Sequence, residues 1–187
     1  MKTTLVSAFG LAAMTPFAVY ADSGFYAGGS LGSATISAEI PDEDLGEVFE
    51  FDENDFAWKA FAGYNFDLPV LNLGIEGGYV DLGAPSGELL GVPVSLDVTG
   101  WDIFGVAGID VGPIGLFAKA GLITWDAEAT VDGIAEDGDD GSDPAYGVGA
   151  KFNLGSLEIR GEYEYFDLES ADDVYMLSAG FVFHFGG

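Results

Sequence analysis

Cysteine is absent and basic residues are scarce: 5 Lys and Arg stand against 32 Asp and Glu, with a single histidine. Without cysteine no disulfide staples the fold, which fits an oxidising envelope compartment entered without one. With so few cations nucleic acid is excluded as a partner, because nothing could neutralise its phosphates. Long apolar runs are also missing after residue 21, where none reaches the roughly eighteen residues of a membrane-crossing helix. The 29 glycines recur inside alternating stretches, where they argue against long helices and are tolerated in curved sheets.

Residues 1–21 read as a secretory signal. Lys2 gives a short basic start, Leu5 to Phe17 is mostly apolar, and Val19 and Ala21 are the small side chains a signal peptidase accepts. Cleavage after Ala21 makes Asp22 the new N-terminus and leaves residues 22–187 as one domain, with only Lys59, Lys119, Lys151 and Arg160 basic. The acids are segregated: nine lie between Glu39 and Asp55 and eight between Asp126 and Asp143. A disordered acidic chain would be poor in aromatics, whereas this one has 15 Phe, 8 Tyr and 3 Trp. An apolar wall joined by acidic loops explains both features.

A period of two dominates. Phe56, Trp58, Ala60, Ala62, Tyr64 and Phe66 alternate with Ala57, Lys59, Phe61, Gly63 and Asn65. Leu71, Leu73, Ile75, Gly77 and Tyr79 face away from Asn72, Glu76 and Gly78. Leu116, Ala118, Ala120 and Leu122 oppose Lys119, and Tyr146, Val148, Ala150 and Phe152 oppose Lys151 and Asn153. The clearest segment sets Leu157, Ile159, Gly161, Tyr163 and Tyr165 against Glu158, Arg160, Glu162 and Glu164. The last sets Tyr175, Leu177, Ala179, Phe181, Phe183 and Phe185 against Met176, Ser178, Gly180, Val182 and His184. In Leu96 to Ile109 the outward set is Trp101, Ile103, Ala107 and Ile109, leaving Asp102 and Phe104 inside. With Gly24 to Ile36 this makes eight strands of roughly ten to twelve residues, the length of a tilted bilayer crossing.

Short links at Asp67–Val70, Asp110–Pro113 and Asn153–Gly155 alternate with long ones at Ser37–Asn54, Gly83–Val94, Asp126–Pro144 and Glu169–Asp173. Short turns on one side and long loops on the other is the layout of an outer-membrane barrel. Closure of an even-numbered antiparallel sheet follows, because an open edge in hydrocarbon leaves unpaired donors and acceptors. A water-soluble sandwich permits the same alternation. The aromatics favour the barrel: Phe56, Trp58 and Tyr79 lie near the long-loop ends, and Phe66, Phe152, Phe183 and Phe185 near the short-turn ends.

The stretches GFYAGGSLG from Gly24, AWKAFAGYNF from Ala57, GIEGGYVDLG from Gly74, GLFAKAGLITWD from Gly115, YGVGAKFNLGSLEIRGEYEYFDL and YMLSAGFVFHF resemble, in that order, the outer-membrane protein A-like, or opacity-like, eight-stranded β-barrel family. The resemblance implies an all-β, eight-stranded antiparallel transmembrane barrel of a Gram-negative outer membrane, with a packed interior. It also implies assembly by the barrel-assembly machinery and contact with outer-membrane lipid and lipopolysaccharide. Many relatives end on the aromatic residue that this machinery reads, whereas Gly186 and Gly187 follow Phe185 here. Relatives that carry a soluble peptidoglycan-binding domain after the barrel differ again, so wall attachment is not expected.

No catalytic, cofactor-binding or metal-ligating residue is assigned. Small outer-membrane barrels that remove acyl chains from lipid A need a histidine beside a serine, toward the outer border. His184 falls at the short-turn end, and Ser178 sits deeper in the same wall; His184 is read as a plug of the lower lumen. Asp137, Asp139, Gly141 and Asp143 outline a D-x-D-x-G-x-D pattern, but the twelfth position is Val148 instead of a bidentate glutamate. It is read as a solvated acidic loop that attracts divalent cations weakly and diffusely. The expected function is a monomeric structural or surface-exposed barrel with a packed, polar, non-channel lumen; a narrow pore and an adhesin acting through acidic extracellular loops are the alternatives. Inside, Glu76, Lys119 and Arg160 fall at nearly one height, and Arg160 and Lys119 are expected to be clamped by Glu76 and Glu162.

Overall fold

A computed structural model describes residues 23–42, 47–68, 70–84, 86–89, 92–131, 134–135, 139–168 and 173–185. Residues 1–22 and Asp137 lie outside them. Eight long strands form the wall: β1 (Gly24–Asp42), β2 (Glu47–Asp67), β3 (Asn72–Asp81), β4 (Val92–Val111), β5 (Ile114–Val131), β6 (Asp139–Leu154), β7 (Leu157–Phe166) and β8 (Asp173–His184). Each pairs antiparallel with its chain neighbours, and β1 pairs with β8 from Tyr26↔His184 to Ser37↔Asp173. The sheet is therefore closed, and the membrane-level wall has no edge.

The three short connections are the expected ones. Two are two-residue turns, Gly112–Pro113 and Gly155–Ser156, in which the glycine takes φ 64 and φ 70, a conformation that suits glycine at the first central hairpin position. The expected faces hold throughout. Trp101 and Ile103 are 67% and 56% exposed, while Asp102 and Phe104 between and beside them are 6% and 1%. Outward aromatics form two rows. Trp58, Tyr79 and Trp101 touch ring to ring across β2, β3 and β4 at 5.6 and 5.2 Å. Phe25, Tyr64 and Phe66 do so near the short turns at 4.9 and 4.7 Å, and Phe183 meets Phe185 at 5.2 Å. The ten residue steps from Phe56 to Phe66 span roughly 25 Å after tilt, the height of the apolar band of such barrels.

Two expectations are corrected. Five strands exceed ten to twelve residues: β1 has 19, β2 21, β4 20, β5 18 and β6 16, while β3, β7 and β8 keep the expected length. The link Ser37–Asn54, expected as loop, continues the β1–β2 hairpin to Asp42↔Glu47. Likewise Asp126 to Val131 and Asp139 to Asp143 are strand, and Thr130 and Val131 pair with Ala135 and Ile134. The lumen is polar only in its lower part. Above the upper aromatic row Val80, Leu82, Val98, Ile123, Ala127, Phe166, Leu168 and Val174 point inward and are buried. There the outward residues are Asp97, Thr124, Asp126, Glu128, Ser142 and Asp167, all exposed. The alternation keeps its period but exchanges its chemistry, because the outer face now meets water and the inner face must exclude it. A collar built like a water-soluble barrel continues the transmembrane one.

Closure and outward apolarity predict a heat-modifiable protein: unboiled and boiled samples should migrate differently in a detergent gel. Identical migration would show that the wall does not close in detergent.

Candidate functional site

Chemistry-bearing side chains concentrate in the lumen, where every basic residue of positions 22–187 points. The cause is the polar face of each strand: at membrane level the outward positions meet lipid, so a charge is sited only inside. Arg160, Glu158, Glu162 and Glu164 come from β7, Glu76 from β3, Lys119 from β5, Lys59 from β2 and Asp102 from β4. Glycine at 78 and 147 leaves room for the lysines, since a methyl there would come within 2.8 Å of Lys59 Cε and of Lys119 Cε respectively.

Three layers stack along the axis. At the mouth beside the short turns, His184 Nε2 lies 3.1 Å from Glu158 Oε2, and Lys151 Nζ lies 3.4 Å from Asp110 and 4.0 Å from Glu158. Asn72 donates to Asp110 at 2.5 Å. In the middle layer Arg160 donates from Nε to Glu158 at 2.9 Å and from Nη1 to Glu76 at 2.7 Å and Glu162 at 3.4 Å. The Tyr26 hydroxyl also donates to Glu76, at 3.0 Å. Lys119 pairs with Glu162, with Glu76 at 3.3 Å and with Glu164 at 3.0 Å. In the upper layer Lys59 joins Glu164 at 2.7 Å and Asp102 at 2.8 Å.

Aromatic rings fill the space between the charges. Arg160 lies 5.0 Å from the Phe61 ring and 4.9 Å from Phe117; Phe104 sits beneath both lysines at 4.7 and 4.8 Å. The ring faces add cation–π attraction and displace water that would otherwise connect the carboxylates. Glu76 and Glu164 are completely buried. At the mouth the wall leaves a cavity of about 20 Å³, enough for about one water, bounded above by Arg160 and Phe117. Above the ionic layers the apolar residues of the collar close the lumen.

The expected clamp is present in full: Arg160 and Lys119 each contact both Glu76 and Glu162. His184 lies at the mouth, beside Glu158. Sequence reasoning left out the upper layer, although Lys59, Asp102 and Glu164 all stand on the face it assigned as inward. His184 and Ser178 are not brought together, being six residues apart on β8, about 20 Å along an extended strand. The D-x-D-x-G-x-D pattern is not a loop at its described end: Asp139, Gly141 and Asp143 lie in β6, and Asp143 accepts the Trp125 indole N–H at 2.6 Å. Among the described residues no group of three or more His, Asp or Glu is placed to hold a metal ion.

The sequence profile of the outer membrane protein beta-barrel domain matches residues 4–185. Neisserial surface protein A is similar in structure at a TM-score of 0.64, with 18% identity, over 87% of this chain and 98% of its own. Ail, the attachment invasion locus protein of Yersinia pestis, in complex with the heparin analogue sucrose octasulfate, is similar at 0.54, with 19% identity, over 86% and 99%. The N-terminal β-barrel domain of Pseudomonas aeruginosa OprF is similar at 0.52, with 12% identity, over 88% and 100%. No curated protein matches the chain. At these identities the likeness is one of fold.

Arg160→Ala is expected to lower stability by on the order of 3–5 kcal/mol, because it leaves Glu76, Glu158 and Glu162 desolvated around a missing cation. A urea midpoint equal to that of the unaltered protein would show that Arg160 does not hold the interior together.

Proposed function

The chain belongs to the outer membrane protein beta-barrel domain family, and from that premise we propose that it is a structural, surface-exposed barrel of a Gram-negative outer membrane whose lumen carries no current. One observation supports this most: along the axis, every layer between the mouth and the collar is crossed by paired charges or packed rings. An eight-stranded barrel has an interior just wide enough for side chains to fill. A pore would need a continuous wet path, and Arg160 with Phe61 and Phe117 lies across it. A catalytic role has no support in the lumen, where the lone histidine faces Glu158 and not a serine.

Residues 1–21 serve as the export signal, removed after Ala21. Outside the cell the collar lifts acidic hairpins above the bilayer, and lipid and lipopolysaccharide surround the wall. Divalent cations gather weakly at the hairpins and lessen repulsion from lipopolysaccharide phosphates. An adhesin reading draws on the same raised hairpins, but it does not extend to sulfated sugars. Ail is described with a heparin analogue; here all four basic residues of positions 22–187 are inside the lumen. A polyanion would meet only like charge on the exterior.

Reconstituted in planar bilayers, the protein should show no conductance steps, and Arg160→Ala should introduce a leak. Regular steps from the unaltered protein would establish the pore instead. N-terminal sequencing of protein recovered from the outer-membrane fraction should begin at Asp22. Sucrose octasulfate should not raise its thermal midpoint at physiological salt; a saturable rise would place a cationic sugar site on the exterior.

A further inference from the structure

The sealed part of the lumen is not neutral. Its middle and upper layers hold four carboxylates, Glu76, Asp102, Glu162 and Glu164, against three cations, Lys59, Lys119 and Arg160. Glu158 is an additional acid, met from the mouth by Lys151 and His184. At least one negative charge is thus in surplus in a region closed off from water, an arrangement that is costly unless further positive charge is present.

An independent feature marks where that charge belongs. The Oγ atoms of Ser30 and Ser178 are buried and hydrogen-bonded to nothing, and so is Glu164 Oε2. Ser30 lies opposite Lys59 across β1 and β2, and Ser178 lies opposite Glu162 across β8 and β7, one pleat from Glu164. The two serines therefore occupy the stretch of wall between Lys59 and Glu164. Above that stretch the Lys59 ammonium reaches Glu164 Oε1, which leaves Oε2 of the same carboxylate unengaged. The partners of the serines across the β1–β8 seam are Gly180 and Gly32, so neither hydroxyl has a side chain directly across the seam to meet it.

We propose that this layer occludes one small monovalent cation, bound by Glu164 Oε2 and the hydroxyls of Ser30 and Ser178, whose charge offsets the surplus carboxylate. The donors are hard oxygens with one formal charge left over, which suits an alkali-metal ion. The absence among the described residues of three grouped acidic or histidine ligands argues against a divalent centre. With the collar closed above and Arg160 and its rings below, the ion enters as the barrel forms and leaves when it unfolds.

The test is urea unfolding of the purified protein in detergent, in sodium, potassium or choline chloride at equal ionic strength. Binding to the folded state alone raises the folding constant by about tenfold once the ion is at ten times its dissociation constant. Sodium or potassium should therefore give a saturable increase over choline, and the larger effect identifies the ion. The double substitution Ser30→Ala with Ser178→Ala should keep heat-modifiable migration and lose most of the difference between salts. Asp102→Asn removes the surplus charge by a separate route, so it should raise the midpoint in choline and shrink the alkali-metal effect. Equal midpoints in all three salts would overturn the proposal. So would a salt difference that survives both variants, or a midpoint that rises on acidification and ignores the cation, which would make a proton the balancing charge.

Discussion

The pairing of β1 with β8 is the constraint on which everything else rests. In hydrocarbon a strand edge has no water to satisfy its donors and acceptors, so the first and last strands must meet. Twelve residue pairs, from Tyr26↔His184 to Ser37↔Asp173, accomplish this. Once the wall is closed with eight strands, its interior is too narrow for bulk water and too polar to be left empty. Charges excluded from the lipid face are thereby forced to pair with one another inside. Closure thus accounts for the ionic stack as well as for the wall.

The stack and the collar are two answers to the question of what fills the axis. At membrane level the interior is the one place for polar groups, and Lys59, Lys119 and Arg160 bind the carboxylates of β3, β4 and β7 across it. Those contacts tie strands that are not wall neighbours, so they resist flattening in a way the ladder alone does not. Above the upper aromatic row the exterior is wet, and the axis returns to ordinary hydrophobic burial. Trp125 stands at the transition, its ring among apolar neighbours and its N–H bonded to Asp143.

The wall was largely legible in the sequence because a period of two with lipid outside leaves little choice of face. Leu157 to Phe166 gives the most direct case, with four charges on one side and none on the other. The clamp of Arg160 and Lys119 followed from counting residues up from the short turns. Lys59 escaped the same count because it lies far from its turn, and because the stagger of a closed barrel shifts heights from strand to strand. Its long stem then reaches Glu164 across the lumen. The collar was hidden for a different reason: periodicity reports which residues share a face but not which solvent that face meets. Val80, Leu82 and Val98 keep the inward parity of the buried charges below them, and only the structure shows where the chemistry changes over.

That changeover acts as a waterline. Sinking the barrel by one pleat would bring Asp126 down to the level of Trp101, and lifting it by one would raise Trp101 toward water. A carboxylate on a lipid-facing wall near the interface costs up to about 1 kcal/mol and more with depth, and large apolar side chains cost about 1.5–3 kcal/mol each when left in water. Both penalties act on the neighbouring strands β4 and β5. The molecule is therefore moored at a fixed draught, with little freedom to bob or heel, and a bilayer of different thickness would have to deform to meet it.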